Sequence, residues 1–281
     1  MRCAICAVVV AIAVCPASST AGDLELSVGV GLGVAATAGD GAVRGEPYQA
    51  EPLPPPPRYG GCLPPGLATT TSGVDTRQWV AGWIFGKRRV ALYAPAGERG
   101  PVALIGDSNT LLSLDLTMES LISAGFGPIC IDAAYGRTVT LGTGSSPVRS
   151  GEEVIAFVRA SDPVWGHPAV RWVVALGTND VLYVAGSRIT AFATRQFASV
   201  EMAAGSPPLL WWVDLRTTRA GTVGHEARWN ALLGELGRGR VEWAALTAAD
   251  PNRYVADDDH VHVTPEGAAL RAQLVVAALS A

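Results

Sequence analysis

Four stretches of this sequence hold residues whose types and spacing could do chemistry. Gly106-Asp107-Ser108 carries a hydroxyl, Asp257-Asp258-Asp259-His260-Val261-His262 carries carboxylates and imidazoles, and Asp132-Ala133-Ala134-Tyr135-Gly136-Arg137 and Gly177-Thr178-Asn179-Asp180 carry amide and backbone donors. Each alone has an ordinary explanation: Asp and Ser cap helices, glycine turns the chain, and acidic runs are solvated. Together they supply a Ser, a His, a carboxylate and donors for an oxyanion, which are the parts that acyl transfer needs. His260 and His262, two apart beside three Asp, also admit a metal-site reading, because residues i and i+2 of an extended segment point the same way. No second ligand cluster is evident in the sequence, and neither a metal nor a cofactor is expected.

These stretches need elements to hold them. Val102-Ala103-Leu104-Ile105 is a short apolar run closed by Gly106, which reads as a buried central strand. Leu111, Leu114, Met118, Leu121 and Ile122 then recur at helical spacing. Ser108 therefore falls between the carboxyl end of a strand and the amino end of a helix, where open α/β sheets bind ligands. Further strands are expected at Ile129–Ile131, Val170–Leu176, Leu209–Val213 and Val241–Leu246. Helical patterns fall between them, around Ile189–Val200 and Trp229–Leu236, and a last helix is capped by Thr264 with Pro265 at its first position. Strands alternating with helices predict an α/β fold: a three-layer α/β/α sandwich with a central five-stranded parallel sheet. Two apolar runs, Gln78–Phe85 and Val90–Tyr93, flank a polar turn with Gly86 and suggest a β-hairpin or a strand pair beside the main sheet.

The 281 residues carry a net charge of −4, 16% charged residues and eight Trp, a balance that fits a sizeable core and argues against nucleic acid as a partner. Residues 1–21 read as a signal peptide, with Arg2, an apolar run from Ala4 to Val14 and a small-residue exit at Ser19-Thr20-Ala21. The expected location is secreted or at the cell envelope. Residues 22–58, rich in Gly and then Pro, read as a flexible linker, residues 59–100 as an N-terminal extension, and residues 101–281 as the catalytic domain. Cleavage would leave Cys62 and Cys130, which an exported chain most simply pairs; two buried unpaired thiols are the alternative.

In order, Gly106-Asp107-Ser108, Gly136, Gly177-Thr178-Asn179-Asp180 and Asp259-His260-Val261-His262 resemble the four blocks of the SGNH (GDSL-like) hydrolase superfamily, and Val263-Thr264-Pro265-Glu266-Gly267 resembles its usual continuation. The stretch Asp132–Arg137, with Trp211-Trp212-Val213-Asp214-Leu215-Arg216, is similar to the extracellular SGNH domains of cell-wall polysaccharide O-acetyltransferases. The resemblance implies an SGNH hydrolase-like fold, with Ser108 as nucleophile, His262 as general base and Asp259 supporting the imidazole. The N–H groups of Ser108 and Gly136 and the Asn179 side chain would form the oxyanion hole. The expected activity is that of an esterase acting on an acylated carbohydrate or small ester. An O-acetyltransferase working on a cell-envelope glycan, and a catalytically silent glycan-binding domain, are the alternatives. Tyr135 and Tyr183 flank the oxyanion blocks and are candidates to pack against a sugar ring. No Gly-x-Ser-x-Gly elbow occurs, which argues against the separate α/β-hydrolase fold.

Overall fold

The computed structural model describes residues 79–281 apart from 85–86, 141–148 and 185. The expected signal peptide, the linker 22–58, Cys62 and the first part of the 59–100 extension lie outside the described residues. In chain order the elements are β1 (Trp79–Ile84), β2 (Arg88–Tyr93), β3 (Val102–Gly106), α1 (Ser108–Ser123), β4 (Ile129–Ala134), α2 (Gly151–Ser161), β5 (Arg171–Ala175), α3 (Thr178–Tyr183), α4 (Ile189–Ala204), β6 (Leu210–Val213), α5 (Val223–Glu235), β7 (Gly239–Val241), α6 (Trp243–Leu246), α7 (Pro251–Tyr254) and α8 (Pro265–Ser280).

The strands form one sheet in the order β1-β2-β4-β3-β5-β6-β7. The five from β4 to β7 run parallel, as the alternation of strands and helices implies, and β1 and β2 extend the sheet as an antiparallel pair. Side chains alternate across it with period two. Ala103, Ile105, Trp172, Val174 and Trp212 enter one core with residues of α2, α4 and α5, while Val102, Leu104, Val173 and Val213 enter the other with residues of α1 and α8. Helices on both faces of a parallel sheet give the three-layer sandwich.

The last expected strand is shorter than its apolar run suggests: β7 stops at Val241, and Trp243–Leu246 is the helical turn α6, with Trp243 buried against the α8 side. A short apolar run does not by itself distinguish strand from buried helix. Among the described residues, no helix is long and apolar enough to cross a membrane.

The chain moves from β3 outward to β4 and then back across β3 to β5. The carboxyl ends of β3 and β5 therefore border the point where the winding reverses, and a crevice opens there in folds of this kind. Ser108 follows β3 and Asn179 follows β5.

Candidate active site

Gly106 closes β3 so tightly that a Cβ there would stand 2.0 Å from Thr110 Oγ1 in the first turn of α1. Asp107 caps that helix, accepting the Asn109 N–H at 3.0 Å. Burial lifts the Asp107 carboxyl above its ordinary range against the pull of Arg271. Ser108 is the first helical residue, so its N–H has no acceptor within the helix.

The loop before α8 brings the imidazole to this point. Val255 and Val263 bridge its two arms, and Ala256 N–H donates to His262 C=O at 2.8 Å. Inside the loop one Asp259 oxygen accepts the N–H groups of Val261 and His262, both at 2.9 Å. The other oxygen meets His262 Nδ1, and His262 Nε2 lies 2.8 Å from Ser108 Oγ. Partial burial raises the Asp259 carboxyl, but the His262 amide, the imidazole and the Val261 amide outweigh it and hold the group below its usual range. An ionised carboxylate only accepts hydrogen bonds, so the ring proton sits on Nδ1 and Nε2 is left to accept the Ser108 O–H.

Asn109, which the sequence reading did not single out, fixes this loop against α1. Its side-chain carbonyl accepts the Val263 N–H at 2.9 Å and its amide donates to Val261 C=O at 3.3 Å. The two bonds grip the residues on either side of His262. The only signal in the sequence is an asparagine one place after the serine, in a helix that gains nothing from it.

The other two blocks meet beside this group. Gly136 turns the chain after β4 at φ +68°, and a Cβ there would meet nothing within 4 Å, so the turn is open in front of it. Arg137 is fully buried and donates to Gly106 C=O at 3.0 Å and to Asp132 C=O at 2.7 Å, tying the turn to the end of β3. Asp132 also accepts side-chain bonds from Arg137 at 2.8 Å and from Arg88 Nε on β2 at 2.8 Å. Burial alone would raise the Asp132 carboxyl; the two guanidinium groups prevail and lower it to about 2. Neither Arg88 nor this double pairing was foreseen from the sequence.

Asn179 Nδ2 donates to Arg137 C=O at 3.0 Å, which joins the third block to the second and leaves its other amide hydrogen uncommitted to that carbonyl. Gly177 precedes it at φ +120°, where a Cβ would stand 2.6 Å from the Trp229 ring. Asp180 holds the next turn by accepting Val139 N–H, and burial pushes its carboxyl up to about 7.

Of the residues singled out in the sequence, Ser108, His262 and Asp259 stand in one hydrogen-bonded line, and Asn179 and the Gly136-Arg137 turn are bonded to each other. Tyr183 is 81% exposed and borders a cavity that Asn179 also lines, whereas Tyr135 is exposed at the end of β4 and takes no part in that cavity. His260 turns to Thr218, with Nδ1 3.0 Å from its hydroxyl, so the two neighbouring histidines have separate partners. No group of three or more His, Cys, Asp or Glu that could hold a metal occurs among the described residues. Cys130 is buried within β4, and its expected partner Cys62 is not among them.

No family model matches the chain, and no curated protein sequence matches it. Solved structures do. The C-terminal catalytic domain of peptidoglycan O-acetyltransferase A from Streptococcus pneumoniae is 18% identical, with 64% of this chain and 93% of that one covered and a TM-score of 0.48. An acetylxylan esterase from Geobacillus stearothermophilus is 14% identical over 66% of this chain and 95% of its own, with a TM-score of 0.47. A member of the lipolytic G-D-S-L family from Veillonella parvula is 14% identical over 63% and 97%, with a TM-score of 0.46. The four ordered sequence blocks resemble those of the SGNH hydrolases, and the fold is α/β with a mostly parallel sheet.

Proposed function

We propose that the chain is an exported serine esterase that hydrolyses ester-linked acyl groups, acetyl on carbohydrate foremost, through an acyl-enzyme on Ser108. The observation that carries this reading is the hydrogen-bonded line from Ser108 Oγ through His262 to Asp259. Ser108 Oγ attacks the ester carbonyl carbon while His262 Nε2 takes its proton, and Asp259 stabilises the imidazolium. The carbonyl oxygen, now negative, is met by the N–H groups of Ser108 and Gly136 and by the Asn179 amide. Collapse breaks the bond to the alcohol oxygen, which leaves with the proton from His262. A water then gives a proton to His262 and attacks the acyl carbon, releasing the acid and restoring Ser108.

The test pairs labelling with product analysis. A fluorophosphonate probe is expected to label Ser108, and the protein to release acetate from p-nitrophenyl acetate and from acetylated xylan. Labelling that persists in Ser108→Ala ends the reading. Acetyl passed to xylo- or chitooligosaccharides faster than to water replaces hydrolysis with transfer.

A further inference from the structure

Beside Asn179 lies a cavity of about 200 Å³ whose wall is formed by Tyr183 on one side and by Arg188, Phe192 and Arg195 on the other. The last three are four and then three residues apart, at the start of α4, so they form one stripe along it. The opposite stripe, Ile189, Ala193 and Phe197, is buried in the core, which fixes the first stripe toward the cavity. Both guanidinium groups belong to exposed residues, and among the described residues neither has an ion pair or hydrogen bond. Elsewhere arginines are commonly matched: Arg88 and Arg137 to Asp132, Arg216 to Glu226, Arg238 to Glu201 and Arg240 to Glu242. In a chain of net charge −4, two unmatched cations facing one cavity depart from the general balance. The acid in the wall, Asp180, is committed to the Val139 N–H.

We infer that this cavity is a subsite for an anionic group on the alcohol part of the ester, a carboxylate or a phosphate borne by the carbohydrate, gripped by Arg188 and Arg195 with its ring against Tyr183 and Phe192. The inference rests on the esterase reading, because Asn179 is both a wall of the cavity and a donor to the oxyanion. Guanidinium forks suit planar carboxylates and phosphates, and aromatic faces suit the apolar face of a sugar ring.

The test uses the Arg188→Ala, Arg195→Ala double variant, whose side chains lie outside the catalytic line and outside the core. Values of kcat/KM are measured for phenyl acetate, 4-acetoxybenzoate and 4-acetoxyphenyl phosphate. Binding of trigalacturonic acid and of xylotriose is measured by titration calorimetry on the same proteins. The variant is expected to lose about tenfold or more on the anionic esters through KM, as charge-assisted bonds of ordinary strength imply, while phenyl acetate stays within about twofold. The benzoate and phosphate arms separate a carboxylate from a phosphate preference. Trigalacturonic acid is expected to bind wild type more tightly than xylotriose does, and to lose that advantage in the variant. Equal losses on neutral and anionic esters, or no preference for the acidic trisaccharide, overturn the subsite. If no ester is turned over yet trigalacturonic acid binds through the two arginines, the subsite stands and the esterase reading falls.

Discussion

Asn109 and Val263 stand 154 positions apart, yet the Asn109 side chain accepts the Val263 N–H at 2.9 Å. That bond, with its companion to Val261 C=O, lets the residue after the candidate nucleophile set the position of the candidate base. Asn109→Ala is expected to lower kcat on p-nitrophenyl acetate by up to about a hundredfold with little change in KM, since small misplacement of a reacting group costs that much. Asn109→Asp keeps the acceptor for Val263 and should retain more activity than the alanine variant. Equal kcat in all three proteins would show that the loop is held without this residue.

The two neighbouring histidines should separate cleanly. His262→Ala is expected to lower kcat by about ten-thousandfold or more, as losses of such bases do. His260→Ala loses only a bond to the Thr218 hydroxyl, and its kcat should remain within about tenfold, a bond of ordinary strength being at stake. Reversed effects would mean that the wrong imidazole has been assigned.

Buried carboxyls set the pH dependence of stability. Asp180 is pushed up to about 7, Asp214 to about 6 and Glu226 to about 7, burial being the largest cause in each. The unfolded chain titrates such groups near about 4, so between that value and neutrality the folded form holds more protons. Their contribution is fully present below the unfolded values and is lost as pH rises through 6 to 7. Asp132, lowered to about 2, acts in the opposite sense and only under more acid conditions. Thermal melts should therefore give a higher Tm at pH 5 than at pH 8, and Asp180→Asn should flatten that slope. A Tm that rises with pH over this interval contradicts the assignment.

Asp132→Asn would take from the buried Arg88 and Arg137 the carboxylate charge that they share. Breaking a buried ionic group in this way typically costs about 3–5 kcal/mol, which urea unfolding would read directly. A cost under about 1 kcal/mol, the value of an exposed pair, would mean that water reaches the cluster.

The proposed bond between Cys62 and Cys130 has a simple check. Peptide mapping of the purified protein without reductant should recover the two cysteines in one cross-linked peptide. Closing a loop of about seventy residues is worth about 4 kcal/mol in the chain-entropy account, so reductant should lower the Tm. Alkylation of both thiols in the native protein would rule the bond out.

The sheet was legible because β3, β5 and β6 are buried on both faces and so appear as unbroken apolar runs. α8 was legible from Thr264, whose hydroxyl accepts the Gly267 N–H as a cap should. α2 was not, although Ser150 and Glu153 form a reciprocal cap that the sequence spells out. Ser108, Asp259 and His262 stand out by residue type and order alone. Asn109 and Arg88 do not, because each matters through a partner that only the fold brings near: Val263 for the first and Asp132 for the second. The stripe of Arg188, Phe192 and Arg195 likewise acquires meaning only when α4 is set beside α3 and Asn179.

The antiparallel strand β2 has a consequence beyond carrying Arg88. Without it, β4 would be the outermost member of the parallel sheet, and all six residues from Ile129 to Ala134 are buried. A strand apolar but for Asp132, with a bare row of N–H and C=O groups, is a template on which another copy can dock and propagate. A shortened chain beginning at Pro101 would expose that row and should self-associate on purification, where one beginning before Trp79 stays dispersed. On that outcome the β1–β2 pair would guard against self-association as well as support, through Arg88 and Asp132, the turn at Gly136.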